Sequence, residues 1–157
     1  MIKFDCKVDF KSNSKKTFQD LKKNKDLKVF VGVLQKNNSS RDDEKTNAEI
    51  GYDHEFGTKK IPQRSFLRLP INTELDKIKK IVQGFVKNQL TKKVFDLKEI
   101  LGKVGFVATN VIRDAFDNAG FGKWQKLSKT TIEKKGHEEI LKDKLQLLRS
   151  VDFEVKK

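Results

Sequence analysis

The side chains that most often carry catalysis are few in this sequence and far apart. Its histidines are His54 and His137, and its one cysteine is Cys6. A zinc site needs three or four such ligands close together. The pair His54-Glu55 is followed by Thr58, where a metalloprotease helix carries its second His. Nucleophilic catalysis needs a Ser or Cys beside a base that a third group orients. No G-x-S-x-G turn is present, and Cys6 reads as a small apolar residue of a strand. The glycines at 102, 105, 120 and 122 do not spell a phosphate loop. Gly102-Lys-Val-Gly105 has the spacing of a clamp on single-stranded RNA but falls inside a helical pattern. Asp42-Asp43-Glu44 have no apolar shelter to shift a pKa and read as solvated charges. The expectation is a chain with no catalytic residue, no metal and no cofactor, and so not an enzyme.

The segment from His54 to Arg68, HEFGTKKIPQRSFLR, gathers two aromatics, a glycine, a proline and two arginines. It reads either as a rigid connector whose Phe56, Ile61, Phe66 and Leu67 plug the core, or as an interaction surface presenting Arg64 and Arg68.

The elements that must hold this segment follow from periodicity. Ile2, Phe4, Cys6, Val8 and Phe10 alternate with charged residues, the period of a half-buried strand over 2–10. Phe18 and Leu21, three apart, predict a short amphipathic helix over 15–25. The run 27–34 is β-branched and aromatic and predicts a strand, with Gly32 marking a bulge or a close backbone approach. Residues 35–46 contain no apolar side chain and predict a mobile polar loop. Ala48, Tyr52 and Phe56 share one face of a helix over 47–56, and Gly57 fits the position after its end. Pro62 holds Ile61 extended, and Pro70 suits the first turn of a helix over 71–93. A second long helix spans 97–118, and a short connection makes the two a helical hairpin. Gly102 and Gly105 lie inside it, each costing about 1 kcal/mol against Ala, which close packing on a neighbouring backbone would offset. Ser128 caps a helix over 129–135 that Gly136 stops. A helix over 138–148 and a strand over 150–156 complete the chain. The expected fold is one α+β domain over 1–157, a small antiparallel or mixed sheet packed against two long helices.

The 157 residues carry 35 Lys and Arg against 22 Asp and Glu, a formal charge of +13. The arginines are only Arg41, Arg64, Arg68, Arg113 and Arg149, and the remaining cations are Lys. Arg reads bases through two parallel hydrogen bonds, whereas Lys meets phosphates without sequence preference. The charge therefore reads as a Lys-rich solvated surface or as a non-specific nucleic-acid face. No apolar run approaches the length that spans a membrane, and the alternating N-terminus is not a signal peptide. A single cysteine fits a reducing, cytosol-like compartment.

Three strings resemble those of small bacteriophage neck and tail-completion proteins. They are Ala48-Glu-Ile-Gly-Tyr-Asp-His-Glu-Phe-Gly-Thr58 with Ile61-Pro-Gln-Arg-Ser-Phe-Leu-Arg68, then Gly122-Lys-Trp-Gln-Lys-Leu-Ser to Gly136, then Ile140-Leu-Lys-Asp143 to Val151. The resemblance covers about residues 27–157. Lys126 stands where that family has Pro, and Lys144-Leu145 where it has Thr-Gly, a glycine that serves a turn before the last helix. The resemblance implies a virion protein, assembled in the host cytoplasm, that finishes the tail or joins it to the head. It implies a homo-oligomeric ring, hexameric on the virion and built from a protein that can be monomeric in solution. Its partners would be tail terminator, tail tube and head-completion proteins, with DNA passing through the channel and no membrane. Arg64, Arg68 and Glu55 are then the expected assembly residues, with Lys77 and Lys80 facing the DNA. His54, Phe56, Gly57, Pro62, Phe66, Leu67, Trp124 and Ser128 are the expected structural anchors. The alternative is a non-specific nucleic-acid-binding domain using its Lys-rich face.

Overall fold

The computed structural model describes residues 15–39, 45–92 and 95–157. The strand expected over 2–10, with Cys6, lies outside these residues, as does the acidic run at 42–44. The elements in order are α1 (Lys15–Asn24), β1 (Lys28–Val33), a 3-10 turn at Gln35–Asn37, α2 (Asn47–Phe56), α3 (Arg68–Thr73), α4 (Leu75–Thr91), α5 (Leu97–Asp117), α6 (Lys129–Lys135), α7 (Gln146–Ser150) and β2 (Val151–Lys156).

The fold is α+β. β1 and β2 pair antiparallel in an unbroken register, from Lys28 opposite Lys156 to Val33 opposite Val151. Gly32 therefore faces Asp152 with no bulge. α5 lies across both strands. Its apolar spacing buries Val104, Val107, Ala108, Val111, Ile112, Ala115 and Phe116. The sharpest fit is at Gly105, where an added Cβ would stand 2.3 Å from the Phe153 ring of β2. The neighbour that requires this glycine is thus a ring rather than a backbone. Gly102 has nothing within 4 Å of where its Cβ would be, so packing does not offset its cost.

α4 and α5 form the expected hairpin. Its connected end is fixed by Gln89, which donates to Glu99 at 2.6 Å and accepts the Asp96 N–H at 3.2 Å. The first long helix is divided, however. The chain leaves helical geometry at Glu74 (φ −102°, ψ 16°), which separates α3 from α4. Pro70 sits in the first turn of α3, as its missing N–H requires.

The polar stretch after β1 is not wholly without structure. Its first part is the 3-10 turn, and Asn38 Oδ1 accepts the Ala48 N–H at 2.8 Å while Asn47 donates to Ser39 Oγ at 3.0 Å. Thr46 and Glu49 then form a reciprocal capping box that starts α2.

The helix expected over 138–148 is confined to Gln146–Ser150. Leu141 (φ 60°) and Leu145 (φ 58°) stand in left-handed backbone, which breaks any longer helix. Ser128 caps α6 by accepting the Thr131 N–H at 3.2 Å, and Gly136 (φ 76°) closes it. No helix of the described residues is long and apolar enough to cross a membrane.

Candidate functional site

α2 turns its polar side inward. Its buried residues are Asn47, Gly51 and Glu55, spaced four apart. Gly51 leaves room for the Phe66 ring, whose tip would lie 3.2 Å from a Cβ there. The stripe Ala48, Tyr52 and Phe56, one residue round the helix, faces out. Phe56 is 49% exposed and Tyr52 64%, which corrects the expectation that Phe56 anchors the core. Periodicity favoured this apolar stripe, but the inward face is decided by what meets Glu55.

Glu55 is 4% exposed and its carboxylate is saturated. Oε2 accepts the main-chain N–H groups of Phe66 at 2.8 Å and Leu67 at 2.9 Å. Oε1 accepts Ser65 Oγ at 2.8 Å, Arg68 Nε at 2.7 Å and the Arg68 N–H at 3.3 Å. Ser65 Oγ in turn accepts the Leu69 N–H at 3.1 Å. A helix start leaves four main-chain donors without partners. Glu55 and Ser65 together satisfy that set for α3, so a carboxylate from another helix acts as its cap and faces the positive end of its dipole.

The second junction joins segments sixty residues apart. Arg64 is 6% exposed. Its Nε donates to the Gln125 carbonyl at 3.0 Å and its Nη2 to the Lys126 carbonyl at 3.4 Å. Its own N–H donates to the His54 carbonyl at 2.7 Å. Trp124, between α5 and α6, donates its Nε1–H to the Ser65 carbonyl at 3.1 Å and meets Phe116 edge-on at 5.7 Å. Phe116 meets Phe66 in the same manner at 5.6 Å. Phe66 and Trp124 are thus core anchors as expected, and Leu67 packs half-buried against the core. Gly57 (φ 76°) ends α2 with the Gln63 main chain 3.0 Å from where a Cβ would be. Pro62 is half-buried beside it.

Arg64 and Glu55 were expected to reach another subunit, but both are buried and bonded within the chain. Arg68 alone of the three presents itself outward. Its side chain is 53% exposed, and its guanidinium lies 4.5 Å from the centre of the Phe56 ring, which in turn stands 4.7 Å from Tyr52. The result is an exposed cluster of two rings and a cation, Tyr52–Phe56–Arg68. Ser65 and Tyr52, both central to this arrangement, were not singled out from sequence. A serine between two apolar anchors and a tyrosine on an apolar stripe carry no local signal of their roles.

Lys77 and Lys80 are exposed on α4, with Lys77 3.7 Å from Glu74. Among the described residues no three His, Cys, Asp or Glu side chains are placed to hold a metal ion. No family model, no curated protein and no solved structure matches this chain.

Proposed function

We propose that this chain is a bacteriophage virion assembly protein, a tail-completion or head–tail joining component that acts at the neck as a ring of identical copies. One observation carries the reading. Two of the strings that resemble the neck family, 48–68 and 122–136, bond directly to each other through Arg64, Ser65 and Trp124, about sixty residues apart in sequence. Together they form one latch, beside which the Tyr52–Phe56–Arg68 cluster is exposed for an intersubunit contact. Aromatic rings and Arg are the side chains enriched where protein surfaces bind one another.

In this reading the exposed lysines of α4 line the passage for DNA and need no sequence preference. The test is inactivation of the gene in the phage that encodes it, with complementation from a plasmid. DNA-filled heads and unattached tails, rescued by the wild-type chain and not by a chain carrying Phe56→Ala with Arg68→Ala, are the expected outcome. Intact infectious particles without the chain would overturn the proposal. A solitary nucleic-acid-binding role has one supporting observation, the exposed Lys80 and Lys87 with no acidic partner among the described residues. It predicts tight DNA binding by the free protein that falls steeply with salt.

A further inference from the structure

Arg64 is a buried cation with no carboxylate partner among the described residues. Buried charges in proteins are ordinarily paired, because removing an ion from water costs several kcal/mol. Two of the five N–H donors of Arg64 are used, both on main-chain carbonyls. No Asp or Glu of the described residues forms an ion pair with it. Burial alone pushes its guanidinium pKa down.

Arg64 also lines a cavity of about 450 Å³ between α2, α6 and the turn before α7. Lys60, Lys126 and Lys135 line it too, and among the described residues Asp143 is its one carboxylate. Lys135 is pushed down first by burial, with Asp143 and Glu139 opposing and the nearby Arg64 adding to the shift. Apolar side chains, Ile50, Ile61, Leu127 and Leu147 among them, share the lining with the polar Gln125, Ser128, Thr131 and Gln146. Among the described residues the cavity thus has more cations than carboxylates, and its apolar side chains suit an aliphatic stem.

We propose that this cavity is a recognition site for a peptide segment carrying a carboxylate side chain flanked by apolar residues, with the Arg64 guanidinium as its anchor. The carboxylate meets the unused N–H donors of Arg64, and the flanking side chains lie on Ile61 and Leu127. A nucleic-acid backbone fits less well. Its phosphates stay solvated and meet exposed lysines, whereas the anchoring cation here is buried in a cavity lined in part by Ile61 and Leu127. The proposal stands apart from the virion reading, since the guest is defined by its chemistry and not by its source.

The test is an NMR titration of the full chain with acetyl-Leu-Glu-Leu-amide, its Gln counterpart and a short oligothymidylate. The Glu peptide shifts the Arg64 Nε–Hε resonance and the amides of Leu127 and Thr131 saturably, with a Kd of about 1 mM or tighter. The Gln peptide binds about tenfold more weakly, the loss expected for one hydrogen bond to a charged group. Arg64→Lys, which keeps the charge and loses the fork, weakens the Glu peptide about tenfold. Since Arg64 also ties two segments together, Lys60→Gln combined with Lys126→Gln at the exposed rim provides a second variant. It weakens binding and leaves the melting temperature unchanged. Equal affinity for the two peptides, no saturable shift, or stronger cavity shifts with oligothymidylate than with the Glu peptide would overturn the proposal.

Discussion

The carboxylate of Glu55 accepts the main-chain N–H of Phe66 at 2.8 Å, across eleven residues of sequence. This bond seats the core's fully buried Phe66 ring at the start of α3. Burying that ring contributes about 2–3 kcal/mol, but only if the polar main chain around it is satisfied. Glu55→Gln puts an amide NH2 among groups that are all donors. Urea unfolding is expected to show a loss of about 3 kcal/mol, with Glu55→Ala at least as costly. A loss under about 0.5 kcal/mol for Glu55→Gln would contradict the role of the carboxylate as a cap.

Two glycines of one helix are expected to respond in opposite directions. Gly105→Ala drives a methyl into the Phe153 ring and is expected to cost about 1–3 kcal/mol. Gly102→Ala meets open space and is expected to stabilise by about 1 kcal/mol through helix propensity. Thermal melts of the two single variants check both.

Leu145 stands at φ 58° where the resembled motif carries Gly. Leu145→Gly and Leu145→Ala remove the same packing, but only Ala retains a Cβ in left-handed backbone. The Gly variant is expected to be the more stable by about 1 kcal/mol. The comparison of the two isolates the backbone cost, which Leu145→Gly alone would not.

Asp152 on β2 accepts Lys36 Nζ at 2.7 Å from the 3-10 turn. The hydrogen bond to Lys36 is the main reason its pKa lies below the ordinary carboxylate value of 3.8, and the Phe153 N–H and Asn37 add to it while burial opposes. A lowered folded pKa means that the contribution is complete above that ordinary value and is lost as pH falls through the folded one. The stability difference between wild type and Asp152→Asn is expected to be constant well above 3.8 and to shrink as pH falls below it. A difference that persists unchanged in acid would show that the charge does not matter.

Much of this fold was legible because local signals and packing agreed. Ser128, Gly136, Gly57 and the α5 stripe carried caps, stops and a period that tertiary contacts did not need to override. The failures have two causes, a partner distant in sequence and a local backbone conformation that the residue type does not announce. The outward turn of Tyr52 and Phe56 depends on Glu55 reaching α3, and the apolar stripe on its own argued the reverse. The division between α3 and α4 lies within an unbroken helical period. Leu141 and Leu145 break a helix from left-handed positions that leucine seldom occupies. Arg64 looked like an outward hand because arginines usually are, and the carbonyls of Gln125 and Lys126 that hold it lie sixty residues on. The candidate site was thus located by its motif, while its inside and outside were assigned only by the fold.

The proposed function makes this chain part of a virion. The most direct measurement is quantitative mass spectrometry of gradient-purified particles from the phage that encodes it. The chain is expected in every particle at the few copies of a single ring, far below the major capsid protein and retained after a high-salt wash. Its absence from the purified particles, or its loss with salt as a DNA-bound contaminant, would contradict the account.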